Sequence, residues 1–552
     1  MHHQDSLNAY ILQSLRDNWE LLALTDYNGA SFQYKDVARK ITKLHILFRN
    51  VGVKPGDKIA LCGRNSAQWA MAFIGTITYG AIAVPVLHEF KPDNIHHLVN
   101  HSEARLLFAD AGTWENLDAS VMPALEGVLL ISDFSLLMSR SEPLNEARAN
   151  LNLFFGEAYP ERFTVDDVEV CVTKPDDVAL INYTSGSTGF SKGVMVTFGN
   201  LWSNIEYTID HLDFLSPGDG IVSMLPLAHM YGLVVEMLHP FVKGCHVTFL
   251  TRIPSPRIIM EAFATVHPKL IVAVPLILEK IIRTKVFPLL EKPYMKFLLH
   301  VPFVDDRLLG KIKDRLTDTF GGNLQEIVIG GAALNKEVET FLRRIGFPFT
   351  VGYGMTECAP LISYAPHEES RPGSCGRLVD RMEIKVDSPD PENVPGIIWV
   401  RGANVMKGYF KNSEATAEAF GEDGWMSTGD IGCVDSDNFI YLRGRDKNMI
   451  LGPSGQNIYP EEIEQKLNNM PYVGESIILE DSGKLFALVY PDMDNVMNRN
   501  LTTADVERIM AENLVQLNKE LPAYSQVARI EIKSEEFEKT PKRSIKRYLY
   551  QH

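Results

Sequence analysis

The sequence predicts an α/β protein of two unequal parts. A large N-terminal domain of helix-covered sheets with a β-rich subdomain spans residues 1–444, and a small α+β C-terminal domain spans residues 445–552. Two observations predict this. Short apolar strands alternate with amphipathic helices through the first part, the pattern of helices covering largely parallel sheets. The texture then changes near Gly444, where a β-rich stretch gives way to a compact helix–hairpin–helix series. With 552 residues, the chain is long enough for more than one substantial core.

The elements follow in order. Val37, Ile41, Leu44 and Phe48 fall on one helical face, and Gly52 closes that helix. Lys58–Leu61 reads as a short strand, and the apolar helical stretch Trp69–Tyr79 leads into the strand Ala81–Val86. The rhythm continues through Val247–Leu250, Leu270–Val274 and Ile327–Ile329. Ile397–Val400 and Phe439–Leu442 belong to the β-rich stretch. Beyond it, Tyr459-Pro460-Glu461-Glu462 starts a helix, with proline at the first position and carboxylates at the positive dipole end. Ile477–Leu479 and Leu485–Val489 read as a hairpin. Val506, Met510, Leu514 and Leu517 line a further helix.

Composition excludes some functions. A net charge of −16 argues against a nucleic-acid partner, since no broad basic surface follows from it. An anionic substrate therefore needs local donors. Six cysteines lie scattered without CxxC spacing, as reduced structural thiols of a cytoplasmic protein do. The N-terminus has no apolar signal core, and no apolar run approaches the roughly 18–20 residues of a membrane span. Lys285–Phe303 mixes lysines with aromatic and aliphatic residues; a partly buried helix pair explains it better than a peripheral membrane contact, which is the weaker reading.

The most informative segment is Tyr183–Val194, YTSGSTGFSKGV. Thr184, Ser185, Gly186, Ser187, Thr188 and Gly189 precede one lysine, Lys192. Glycines let successive N–H groups turn toward one point, and the hydroxyls and ammonium add donors, which makes a cradle for phosphate oxygens. The run Val178-Ala-Leu-Ile just upstream reads as a buried strand, so the loop leaves a strand end, where α/β sheets keep ligands. It is not a Walker A loop, because Ser191 stands where that pattern needs its second glycine.

This string closely resembles the signature loop of the adenylate-forming (ANL) superfamily, which includes acyl-CoA synthetases, aryl-CoA ligases, luciferases and amino-acid adenylation domains. That family usually has proline where this chain has Ser191. Further blocks resemble the family in the expected order. Pro226-Leu-Ala-His229-Met-Tyr-Gly is similar to the substrate-side motif, with His229 beside the acyl pocket; Leu233 stands where some long-chain members place a gating tryptophan. No acidic residue follows His229 directly, and Glu236 is displaced, so an uncharged acyl tail is favoured over an amino acid. Gly330-Gly331-Ala332-Ala333 resembles the pocket floor under adenine and acyl group.

Val351-Gly352-Tyr353-Gly354-Met355-Thr356-Glu357 is the strongest of these blocks. The resemblance implies that Tyr353 packs on adenine, that Thr356 meets the α-phosphate, and that Glu357, with Thr184, holds magnesium. A hard divalent cation wants such oxygen ligands. Asp430 is similar to the ribose-binding aspartate, Arg445 to the ribose-contacting arginine and Lys447 to the hinge residue. Gly455–Glu464 completes the block that, by resemblance, swings in for thioester formation. One departure stands out. The family's C-terminal catalytic lysine falls on Ser544 here, with Lys542 and Lys546 on the same face of an extended segment, each about 6.6 Å away. Either lysine is expected to supply the missing charge beside Lys192 and Glu357.

The resemblance implies an ATP- and Mg²⁺-dependent ligase that activates a fatty acid and transfers it to coenzyme A, most like bacterial long-chain fatty-acid–CoA ligases. It leaves open an acyl carrier protein as acceptor, a second copy of the chain as partner, and a nucleotide-binding homologue impaired in adenylation.

Overall fold

The structure is a computed structural model that describes residues 4–184, 191–251, 255–290, 292, 304–451, 456–481, 483–540 and 545–551, with backbone alone at 284, 285 and 304–306. At its centre an eight-stranded sheet runs in the order Gly408–Tyr409, Lys192–Thr197, Val178–Thr184, Ile82–Val86, Lys58–Cys62, Leu106–Ala109, Gly127–Leu130, Leu136–Ser139. The strands from Val178–Thr184 to Gly127–Leu130 are mutually parallel. Their sequences are apolar nearly throughout, as strands buried on both faces require.

Helix Tyr34–Val51 packs on helix Ala67–Tyr79 beside this sheet. Its residues Val37, Ile41, Leu44 and Phe48 are all buried, and Gly52 ends it at φ 75°, a left-handed conformation that glycine takes without cost. A second sheet carries Gly220–Ser223, His246–Phe249, Leu22–Asp26 and Ser31–Gln33. A third holds the parallel strands Leu270–Ala273, Glu326–Ile329 and Phe349–Val351. The β-rich stretch is antiparallel, with Met382–Asp387, Gly396–Gly402, Met426–Val434 and Ile440–Arg445 side by side.

The last hundred or so residues build a core of their own around Ile463, Leu467, Ile478, Val489, Met510 and Leu517. Helix Pro460–Leu467, with Glu461 and Glu462 in its first turn, packs on the hairpin Val473–Asp481/Lys484–Pro491, and helix Thr503–Glu520 packs on Val527–Ile532, the strand that extends that hairpin's sheet. Asn335 of the large part hydrogen-bonds Asn469 of this unit, and Arg283 Nη2 donates to the same Asn469 oxygen at 3.0 Å.

Three features differ from the sequence-based expectation or add to it. The strand after the hydroxyl-rich loop returns antiparallel, pairing Thr184 with Lys192. The pair Leu22–Asp26/Ser31–Gln33 goes unpredicted because its partner strand is remote, with Leu24 opposite Val247. The stretch after His229 winds as a π-helix, Gly232–Leu238, a form associated with functional sites and invisible to a 3.6-residue period. Most of Lys285–Phe303 lies outside the described residues; among those described, no helix is long and apolar enough to cross a membrane. All six cysteines are free thiols.

Candidate active site

A cleft of about 3080 Å³ opens between the large part and the C-terminal unit, and most of the motif residues line it. The Val178–Thr184 strand delivers Thr184 to its edge, and the Asn182 amide ties that strand to the Ala228 carbonyl at 2.9 Å, beside His229. Ser185, Gly186, Ser187, Thr188 and Gly189 lie outside the described residues. Thr184 and Lys192 flank them as register partners, and the Thr184 hydroxyl reaches the Lys192 carbonyl at 3.5 Å.

Lys192 Nζ sits 4.8 Å from the ring centroid of Tyr409, and the Tyr409 hydroxyl donates to Glu357 Oε1 at 3.0 Å. Burial, reinforced by the Glu357 carboxylate, raises the Tyr409 hydroxyl above its ordinary range and keeps it a donor. Glu357 projects from the short turn Thr356–Cys358. Among the described residues it makes no ion pair, and this half-buried carboxylate lines the same cleft as Thr184. Both are hard oxygen donors of the kind Mg²⁺ takes.

Gly352, Tyr353, Gly354, Met355 and Thr356 line the cleft beside Glu357. The turn is tight. A Cβ on Gly354 would come within 2.3 Å of the Pro360 carbonyl oxygen, so only glycine fits there. Gly331 holds φ +86°, and the exposed Ala332 and Ala333 that follow also line the cleft.

Tyr353 donates to Asp430 Oδ2 at 2.6 Å, and Arg445 Nε stands 2.8 Å from Asp430 Oδ1. Burial raises the Asp430 carboxyl above its usual range, while Arg445 opposes the shift. Asp430 itself is screened from the cleft wall; Ser427, Thr428, Gly429 and Arg445 form that wall.

The acyl side differs from expectation in one place. His229 lines the cleft, but Leu233 is fully buried in the main core. The wider π turn carries Leu233 inward and leaves Gly232 and Val235 on the wall, with Met224, Leu250, Ile259 and Met260 beyond them. Glu236 is turned away as well. Its Oε2 accepts from Ser223 Oγ at 3.1 Å, Met224 N at 3.0 Å and Leu225 N at 2.9 Å, and burial raises its carboxyl far above the usual range.

From the C-terminal side, Lys447 lies in the turn Asp446–Asn448 and lines the cleft. Lys546 also reaches the wall, with its Nζ 3.4 Å from the Glu538 carboxylate. Lys542 and Ser544 are outside the described residues. Sequence reasoning missed Tyr409. Its dipeptide, Gly408-Tyr409, signals only a turn, and its place becomes visible once that segment pairs with the Lys192–Thr197 strand.

A two-part α/β chain that gathers a lysine, a carboxylate and an arginine paired to a buried aspartate around one cleft has the make-up of a nucleotide-using enzyme. The family model described as AMP-binding enzyme matches residues 13–410, and the chain belongs to that family. Its relatives include the long-chain-fatty-acid–CoA ligase FadD15 of Mycobacterium bovis, 27% identical over 535 residues, covering 91% of this chain and 83% of that protein. Another is the peroxisomal long chain acyl-CoA synthetase 6 of Arabidopsis thaliana, 30% identical over 485 residues, covering 80% of this chain and 66% of that one. Among solved structures, ATP-bound MatB from Rhodopseudomonas palustris superposes with a TM-score of 0.76 at 22% identity, over 99% of this chain and 98% of its own. O-succinylbenzoate coenzyme A synthetase (MenE) from Bacillus subtilis, in complex with ATP and magnesium ion, gives 0.74 at 21% identity, over 98% of each chain. At these identities the two solved structures establish the fold.

Proposed function

We propose that this protein is an AMP-forming acid–thiol ligase that activates a fatty carboxylic acid with ATP and transfers the acyl group to coenzyme A. The observation that carries the reading is one cleft with two characters. Lys192, Glu357 and Arg445 line it as charged groups, and Met224, Val235, Leu250, Ile259 and Met260 line it as an apolar wall. The long-chain ligases among its relatives support the same substrate class.

In the first step a carboxylate oxygen of the acid attacks the α-phosphorus of ATP, and pyrophosphate leaves with the electron pair of the broken P–O bond. Lys192 supplies positive charge against the phosphoryl oxygens. Magnesium, held by Glu357 and Thr184, would neutralise phosphate charge as pyrophosphate departs. Arg445, held by the buried Asp430 behind it, orients the ribose, and Tyr353 stands beside the base. Lys546, or Lys542, supplies the cation that Ser544 lacks. In the second step the coenzyme A thiol attacks the acyl-adenylate carbonyl and AMP leaves, with the unit beyond residue 445 turning about Lys447 between the steps.

An uncharged tail suits the apolar wall. An ammonium there would lie desolvated, since Glu236 is fully buried behind that wall and does not line the cleft. The test is pyrophosphate release across acids from acetate to stearate, with coenzyme A present and absent. A medium- or long-chain preference and acyl-CoA formation support the reading. Preference for aromatic acids, or acyl transfer to a carrier protein but not to coenzyme A, would replace it.

A further inference from the structure

Residues 406–410 form a strap that ties the turn carrying Glu357 to the strand that begins at Lys192, and Tyr409 of this strap lines the cleft. On one side Lys407 N donates to Met195 O at 3.0 Å and Phe410 N to Gly193 O at 2.7 Å, binding the strap to the strand that starts at Lys192. On the other side Met406 N donates to Glu357 O at 2.8 Å. The strap's own geometry is fixed by Thr416, whose hydroxyl accepts from Tyr409 N at 2.9 Å. Gly408, at φ +139°, leaves no room for a side chain, since a Cβ would meet Thr416 Cγ2 at 2.9 Å.

Tyr409 therefore has a set position, and its side chain touches both charges of the site. The ring lies 4.8 Å beneath the Lys192 ammonium, and the hydroxyl donates to Glu357 Oε1 at 3.0 Å. Without this spacer an ammonium and a carboxylate in a half-buried cleft attract strongly. A direct pair between them would occupy the lysine's charge and a carboxylate oxygen, and both would be lost to a nucleotide and its metal.

We infer that Tyr409 is a positioning residue that keeps the Lys192 ammonium and the Glu357 carboxylate apart, presenting the one to phosphate oxygens and the other to the metal. The inference rests on the reading of these two residues as the metal–nucleotide site. It assigns separate work to ring and hydroxyl: the aromatic face holds the lysine, and the O–H group orients the carboxylate.

The experiment is calorimetric binding of ATP to the full chain at graded MgCl₂, without fatty acid, so that no turnover enters. Tyr409→Phe keeps the ring. It is expected to bind ATP at saturating magnesium nearly as the parent does, while needing about fivefold to tenfold more magnesium for half-maximal effect. Tyr409→Leu is expected to lose, in addition, about threefold to tenfold in ATP affinity at saturating magnesium. Glu357→Gln tests the route. If the hydroxyl acts through that carboxylate, the double variant Tyr409→Phe/Glu357→Gln matches Glu357→Gln alone.

A parent-like magnesium dependence in Tyr409→Phe, with Glu357→Gln still impaired, overturns the positioning role and leaves the nucleotide site standing. Additive effects in the double variant, accompanied by a lowered melting temperature for Tyr409→Phe, overturn it in favour of a purely structural tyrosine. Unchanged binding in both Lys192→Met and Glu357→Gln would remove the nucleotide reading, and the inference with it.

Discussion

Asp430 and Arg445 face each other across neighbouring strands, register partners with Oδ1 and Nε 2.8 Å apart, while the second Asp430 oxygen takes the Tyr353 hydroxyl at 2.6 Å. Two cleft-lining side chains are thus held through one buried carboxylate. Asp430→Ala leaves the Tyr353 hydroxyl without its acceptor and frees Arg445. The KM for ATP is expected to rise about tenfold or more, with a stability loss of about 1–3 kcal/mol. Tyr353→Phe should cost less, and the pair should couple in a double-mutant cycle by about 1 kcal/mol, read from initial rates.

The inward turn of Leu233 separates two variants that sequence alone would treat alike. Val235→Phe places bulk on the apolar wall and is expected to shift acyl preference toward shorter chains. Leu233→Trp overfills the core and should cost about 1–3 kcal/mol of stability without a matching change in chain-length profile. Competition between short and long acids, together with thermal melts, distinguishes them.

Arg547 contacts the buried Glu464 carboxylate, whose other oxygen accepts from Ile478 N at 2.6 Å. Burial pushes Glu464 up to about 7, with Arg547 pulling against it. A buried acid raised above its unfolded value loses stability as pH climbs from the unfolded to the folded value. Removing the arginine raises Glu464 further and extends that loss above pH 7. Arg547→Ala is therefore expected to destabilise the C-terminal unit by about 2–4 kcal/mol, more at pH 8.5 than at pH 6. Denaturant melts at both values check the sign.

His239 is fully buried with neither ring nitrogen hydrogen-bonded, and burial takes it down to about 3. Its stability contribution is complete above the ordinary value of about 6.5 and falls as acid approaches the folded value, because only the unfolded chain takes up the proton. His239→Leu should flatten the acid limb of the unfolding curve between those values, with little change at pH 7.5. His45, likewise held near 4, should keep part of the slope.

Much of this was legible in the sequence because the decisive signals are local. Gly52 marks a helix end whether or not a core surrounds it, and Pro460-Glu461-Glu462 sets a helix start within one turn. The motif around Tyr353–Glu357 carries its glycines and carboxylate in one run. What the sequence hid is made by pairing at a distance. Tyr409 reaches Lys192 and Glu357 only after its strand docks, and Leu24 finds Val247 across most of the large part. Leu233 defeats periodicity for another reason, since a π turn rotates each following side chain away from its helical phase.

Acid-dependent exchange of labelled pyrophosphate into ATP, without coenzyme A, addresses the central claim most directly. The account predicts exchange only when a fatty acid is present, its loss in Lys192→Met and Glu357→Gln, and AMP with acyl-CoA once coenzyme A is added. ATP binding without acid-dependent exchange, or hydrolysis to ADP and phosphate, would contradict it.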